Sequence, residues 1–159
     1  MKKVTVIGSG SWGTALAVML AKNDHEIMIW SRRQDAVDEL INERKNERYL
    51  PGIVIPENIK ATTDREAAVE GAEIIILAVP SRAVAETVRD FSPYLKETQI
   101  LVNVAKGLEP GTLLCLSDVI EREDGYYIVK CISTMDYEAT QKNKKVLADK
   151  RKQEAFSKA

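Results

Sequence analysis

The chain has little of what would build a metal centre, a disulfide framework or a membrane span. Two cysteines, Cys115 and Cys131, and one histidine, His25, are spread over 159 residues. They make no C-x-x-C pair and no cluster with ligand spacing, so the sequence predicts no zinc site and a reduced environment. No apolar run approaches the roughly 18 residues of a membrane span. The run after Met1-Lys2-Lys3 is stopped by glycine within a few residues, which argues against a secretory signal and for a cytoplasmic protein. An excess of one charge is missing too. With 23 Lys and Arg against 24 Asp and Glu, the net charge of -1 gives no general reason to expect nucleic acid or an anionic lipid surface. Apolar residues at 45% and charged residues at 30% then describe an ordinary soluble globule, of a length that suits one domain.

What is present begins at Val4. Val4-Thr5-Val6-Ile7 is a β-branched run that reads as a strand entering a core. Gly8-Ser9-Gly10-Ser11-Trp12-Gly13 follows at once, and Thr14 to Lys22 is a good helix former, with Leu16, Met19 and Leu20 expected on its buried face. The glycines fit G-x-G-x-x-G, and each has a mechanical task. Gly8 permits the tight turn, Gly10 lets backbone approach a pyrophosphate with no Cβ in between, and Gly13 lets helix and strand pack closely. Free amides at the helix start then face an anion, with the helix dipole favouring negative charge there. A merely structural strand-to-helix turn is the plainer alternative, but the placement after a strand and before a helix favours a dinucleotide.

Asn23-Asp24-His25 breaks the helix, and Glu26 to Trp30 reads as a second strand parallel to the first. Its end bears on the cofactor. Where an NAD-selective fold usually carries an acid for the ribose hydroxyls, this chain has Ser31-Arg32-Arg33. Guanidinium groups can grip a 2′-phosphate that a carboxylate would repel, so NADP(H) is favoured, while Asp35 keeps NAD(H) as an alternative. Two arginines that only solvate a loop would look the same in sequence.

Further along, Gln34-Asp35 opens a helix with Val37, Leu40 and Ile41, followed by the charged stretch Asn42 to Arg48 and a loop region from Tyr49 to Asn58. Ile59 to Thr62 is a short strand, Asp64 to Glu70 a short helix ended by Gly71, and Glu73 to Val79 a fully buried strand. Ser81 is expected to cap a helix bearing Val84, Val88, Phe91 and Leu95, and Gln99 to Val104 to form a strand ending at Ala105-Lys106-Gly107. Alternation of strand and helix throughout predicts an α/β class, a doubly wound and mostly parallel sheet. Ligands of such sheets bind at the carboxyl ends of the strands, where Gly8, Arg32, Pro80 and Lys106 should gather.

Four segments together carry a family resemblance. Val4 to Ala17, Arg48-Tyr-Leu-Pro-Gly52, Leu77-Ala-Val-Pro-Ser81 and Ala105-Lys-Gly-Leu-Glu109 resemble, in order and at compatible spacing, the bacterial NAD(P)-dependent glycerol-3-phosphate dehydrogenases. The resemblance runs to about residue 121. It implies a Rossmann-type cofactor domain and, for the family, reversible reduction of dihydroxyacetone phosphate to sn-glycerol 3-phosphate. It also implies that Ser11 and Trp12 belong to the dinucleotide loop with Gly8, Gly10 and Gly13, and that Arg32 and Arg33 face the adenosine ribose. Tyr49 would stand near the cofactor, and Lys106 would touch both cofactor and substrate. On residue type alone, Trp12 would serve as a packing residue, Tyr49 as a cover for Pro51, and Lys106 as a solvated lysine.

The resemblance decays after Ile120. Family members are longer, with a helical second domain that holds the catalytic lysine, so no catalytic residue is assigned within these 159 residues. The expected organisation is a dinucleotide-binding domain over 1–132, ending in a strand at Tyr126 to Ile132, and a polar, basic tail over 133–159. A truncated gene product, a cofactor module working with a partner chain or as a homodimer, and a non-functional remnant all fit that end. The expected ligands are a dinucleotide and a triose phosphate, with little or no turnover by this chain alone.

Overall fold

Val4, Val6, Ile7, Ile27, Ile29 and Ile74 to Ile76 are β-branched residues in runs too short for helices, and all lie on strands. A computed structural model describes residues 1–108 together with Leu116 and Ile120. Five strands, β1 (Lys3–Ile7), β2 (Glu26–Trp30), β3 (Ile59–Thr62), β4 (Ile74–Leu77) and β5 (Ile100–Asn103), form one sheet in the order β3-β2-β1-β4-β5. Every neighbouring pair is parallel, with Ile7 level with Trp30 on one side and Leu77 on the other. The chain therefore winds outward from β1 through β2 to β3, then crosses back to β4. That reversal leaves a crevice at the carboxyl ends of β1 and β4, the place where open parallel sheets bind ligands.

The strands alternate side chains between two apolar layers. Val4, Val6, Ile27 and Ile29 meet Ala17, Val18 and Ala21 of α1 (Ser11–Ala21) and Leu40, which lies on a π-type turn (Glu39–Glu43) continuing α2 (Gln34–Asp38). Ile7, Trp30, Ile75 and Leu77 meet Val69 of α3 (Arg65–Val69) and Val84, Val88 and Phe91 of α4 (Val84–Phe91), with Leu116 and Ile120 buried in the same layer. Each fully buried Val, Leu, Ile or Phe among them contributes about 1.5–3 kcal/mol when removed from water. Trp30 anchors the second layer: its ring meets Phe91 edge-on at 5.0 Å and its Nε1 donates to the Thr63 carbonyl at 2.9 Å.

Polar groups close the helix ends. Asp64 accepts from the Ala67 amide at the start of α3. Past its end, the buried Gln99 amide donates to the carbonyls of Val69 (2.9 Å) and Ala72 (3.0 Å), the first of which also accepts from the Ala72 amide.

Two expectations are corrected. The buried face of α1 is Gly13, Thr14, Ala17, Val18 and Ala21, whereas Met19 is 52% exposed and Leu16 and Leu20 are only partly covered. Small residues win that face because they let the helix axis approach the sheet, and the larger side chains cover its rim. Ser81 does not cap α4; it begins a 3₁₀ turn, Ser81–Ala83, and Ala83 precedes the helix with no side-chain cap. Among the described residues no helix is long and apolar enough to cross a membrane. Cys115, Cys131, the strand expected at 126–132 and the tail 133–159 lie outside the described residues.

Candidate functional site

The corner between β1 and α1 is shaped by what its glycines exclude. Gly8 has φ +120°, and a Cβ there would stand 2.7 Å from the Ala78 carbonyl oxygen at the end of β4. Its amide donates to the Trp30 carbonyl at 2.9 Å, which ties the turn to β2. A Cβ on Gly13 would run into the Gly8 carbonyl oxygen. These two glycines are thus required by packing of the protein against itself. Gly10 is different: a Cβ there would meet nothing within 4 Å. Its backbone is extended and it stands before α1 with no side-chain cap, so the amides of the first helical turn keep their hydrogen-bonding capacity. Thr14 N–H closes the first helical bond onto the Gly10 carbonyl at 2.9 Å. The result is an open, uncapped helix N-terminus at the crevice of the sheet, a place suited to an anion.

Trp12 is 54% exposed, which removes the reading of it as a core packing residue. Ser11 beside it is also exposed. Tyr49 is 39% exposed, with the Arg48 guanidinium 5.2 Å from its ring centroid. Pro80 follows β4, and the exposed Lys106 follows β5 beside Gly107, whose φ is +101°. Gly8, Arg32, Pro80 and Lys106 therefore all stand at the carboxyl edge, as the alternation of elements predicts.

At the end of β2 the two arginines part company. Arg32 is exposed and makes no hydrogen bond or ion pair with another described residue. Arg33 is engaged by Asp35: its Nε donates to one carboxylate oxygen at 2.9 Å and its Nη2 to the other. That paired bond raises the Arg33 pKa and lowers that of Asp35, in each case more than solvation opposes it. Asp35, the residue that kept NAD(H) open in the sequence, thus neutralises an arginine in this conformation. Ser31, where an acid would stand in an NAD-selective site, is 5% exposed. Its hydroxyl accepts from Ser9 Oγ at 2.8 Å and from the Arg33 amide at 3.3 Å.

One residue that sequence reasoning passed over joins these parts. Asn46, in the charged stretch after α2, is 4% exposed. Its Nδ2 donates to the Ser9 carbonyl at 2.9 Å and to Thr14 Oγ1 at 2.8 Å, while its Oδ1 accepts from the Tyr49 amide at 3.2 Å. The only signal available was an uncharged amide among six mostly charged neighbours.

Comparison with known proteins shows the family and the fold. The family model described as NAD-dependent glycerol-3-phosphate dehydrogenase N-terminus matches residues 3–134. The chain is 46% identical over 123 residues to a glycerol-3-phosphate dehydrogenase, NAD(P)+, of Bacillus pumilus, covering 77% of this chain and 36% of that protein. A protein of the same description from Fusobacterium nucleatum is 46% identical over 123 residues, 77% of this chain and 37% of that one. Among solved structures, glycerol-3-phosphate dehydrogenase of Coxiella burnetii superposes with a TM-score of 0.78 at 36% identity, over 83% of this chain and 40% of that one. The Saccharomyces cerevisiae enzyme does so with a TM-score of 0.74 at 26% identity, over 88% and 44%. The chain spans little more than a third of the length of the curated relatives it matches.

Proposed function

The chain belongs to the family described as the N-terminus of NAD-dependent glycerol-3-phosphate dehydrogenase, and from that membership we propose that it is the dinucleotide-binding part of such an enzyme. The observation that carries the reading is the uncapped start of α1 behind Gly10, open where a Cβ would stand. A pyrophosphate fits that cradle by charge and by shape. We assign Gly8, Gly10, Ser11, Trp12 and Gly13 to the pyrophosphate end and Arg32 and Arg33 to the adenosine ribose. Tyr49 borders the cofactor, and Lys106 serves cofactor and substrate as a point charge for phosphate. The binding unit is taken as residues 1–132, with 133–159 outside it.

The nicotinamide supplies hydride chemistry when bound, and dihydroxyacetone phosphate with sn-glycerol 3-phosphate is the proposed substrate pair of the whole enzyme. The protein is proposed to act in the cytoplasm, alone or as a homodimer, with no nucleic-acid partner. What these residues contribute is binding and orientation; among the titratable groups at this edge, Lys106 is the one assigned to the substrate. NADP(H) is the preferred cofactor in this reading because Arg32 is left available for a 2′-phosphate.

Thermal unfolding with added nucleotide tests both parts. A ligand at about 100 times its Kd stabilises by about 2.7 kcal/mol, several degrees in Tm for a domain of this size. NADPH and NADH should each raise the Tm of the 159-residue chain. Replacing Arg32 and Arg33 by alanine should weaken NADPH about tenfold or more, with NADH nearly unchanged. Equal losses would overturn the 2′-phosphate assignment, and no shift with either nucleotide would overturn the binding function.

A further inference from the structure

A buried asparagine amid a charged stretch invites the question of what it holds. Asn46 uses both amide hydrogens and its carbonyl oxygen, one partner on each of three segments: the Ser9 carbonyl in the glycine corner, Thr14 Oγ1 on α1 and the Tyr49 amide. Thr14 Oγ1 in turn donates to the same Ser9 carbonyl at 3.3 Å. The Ser9 carbonyl is therefore fixed toward the protein by two donors. A peptide unit whose carbonyl is held in this way cannot rotate to present that oxygen to an incoming anion. Arg44, in the left-handed conformation with φ +52°, turns the chain after the π-type turn back toward the corner. Its guanidinium is held by the Ile59 carbonyl at 2.8 Å.

Resting on the dinucleotide reading, we propose that Asn46 is a positioning residue of that site. It locks the Ser9 peptide so that the corner offers donors, and it sets the Tyr49 turn against the same point. Two of its three partners, the Ser9 carbonyl and Thr14 Oγ1, lie at the pyrophosphate corner, so its effect falls chiefly on what NADH and NADPH share. Arg32 and Arg33 act on what they do not share, and this separates the two claims.

Asn46→Asp is the informative variant. It has the same shape and keeps an acceptor for the Tyr49 amide, but it removes both donors and sets a carboxylate against the Ser9 carbonyl. Titration of the 159-residue chain with NADH and with NADPH, well below Tm and with folding checked by circular dichroism, should show both weakened by about tenfold. The NADH-to-NADPH ratio should stay unchanged. A fully folded Asn46→Asp chain that binds both as well as the parent would overturn the proposal and leave the dinucleotide reading standing. A loss confined to NADPH would overturn it as well, because the residue would then act at the ribose end. A parent chain that binds neither nucleotide overturns both. If Asn46→Asp does not fold, Thr14→Val removes one partner of Asn46 at nearly constant volume. It should weaken both nucleotides in equal proportion, by a smaller factor, and unchanged affinity would overturn the proposal.

Discussion

The corner after β1 and the bend after β2 lie side by side on one edge of the sheet, and they are built on opposite plans. At the corner the decisive groups are main chain, and their positions follow from sterics: Gly8 against the Ala78 carbonyl, Gly13 against Gly8. At the bend the decisive groups are exposed side chains, one arginine paired with Asp35 and one free of described partners. The first plan fixes recognition of the part common to both dinucleotides in the fold itself. The second leaves the choice between them to a few solvent-facing charges, which a single substitution can retune without disturbing the core.

Breaking the corner should have the largest effect. Gly13→Ala drives a Cβ into the Gly8 carbonyl and should cost about 3 kcal/mol or more, read as a lower denaturation midpoint at unchanged slope. Gly10→Ala sharpens the same contrast. Its Cβ meets no protein atom and its φ of -73° suits alanine, so stability should change by less than about 1 kcal/mol. Affinity for both nucleotides should nevertheless fall by about tenfold, because the methyl occupies the space the phosphates need. A Gly10→Ala chain that is badly destabilised, or that binds normally, contradicts the division of labour among the glycines.

Changes at the bend should be smaller and selective. Asp35→Asn removes the carboxylate that engages Arg33 and should strengthen NADPH by a few-fold, with NADH altered little. Weaker NADPH binding in that variant would mean that Asp35 orients Arg33 for the ligand. Smallest is an ion pair remote from the site. Lys2 donates to Glu73 and holds its carboxyl below the ordinary range. A depressed folded pKa gives stability that is present above the unfolded pKa and lost as pH falls through the folded one. Glu73→Gln should therefore lower stability slightly at neutral pH and leave it unchanged in strong acid, so that the acid side of the stability curve flattens a little, a small effect as for other exposed pairs.

How much of this the residues announced differs in the same way between backbone and side chain. Strand positions were legible because β-branched runs such as Glu26 to Trp30 and Ile59 to Thr62 have few other uses, and the corner because three glycines at that spacing between strand and helix each answer a steric demand. The buried face of α1 was misread because hydrophobicity ranks Leu16 and Met19 above Ala17 and Gly13, whereas close helix-to-sheet approach ranks them the other way. Arg33 could be named but not its engagement by Asp35, which depends on where the bend points two flexible side chains. Asn46 was invisible because its importance lies wholly in partners distant in sequence, Ser9 and Thr14, that only the folded chain brings to it.

The central claim is that main-chain amides at the start of α1 receive the dinucleotide, and amide NMR reads those groups individually. In 1H–15N spectra of the isotope-labelled 159-residue chain, added NADH and added NADPH should both shift the Gly10, Ser11, Trp12 and Gly13 amides most strongly, with further shifts at Arg32 and Arg33 for NADPH alone. Amides of the corner that stay unmoved while either nucleotide binds elsewhere would contradict the account.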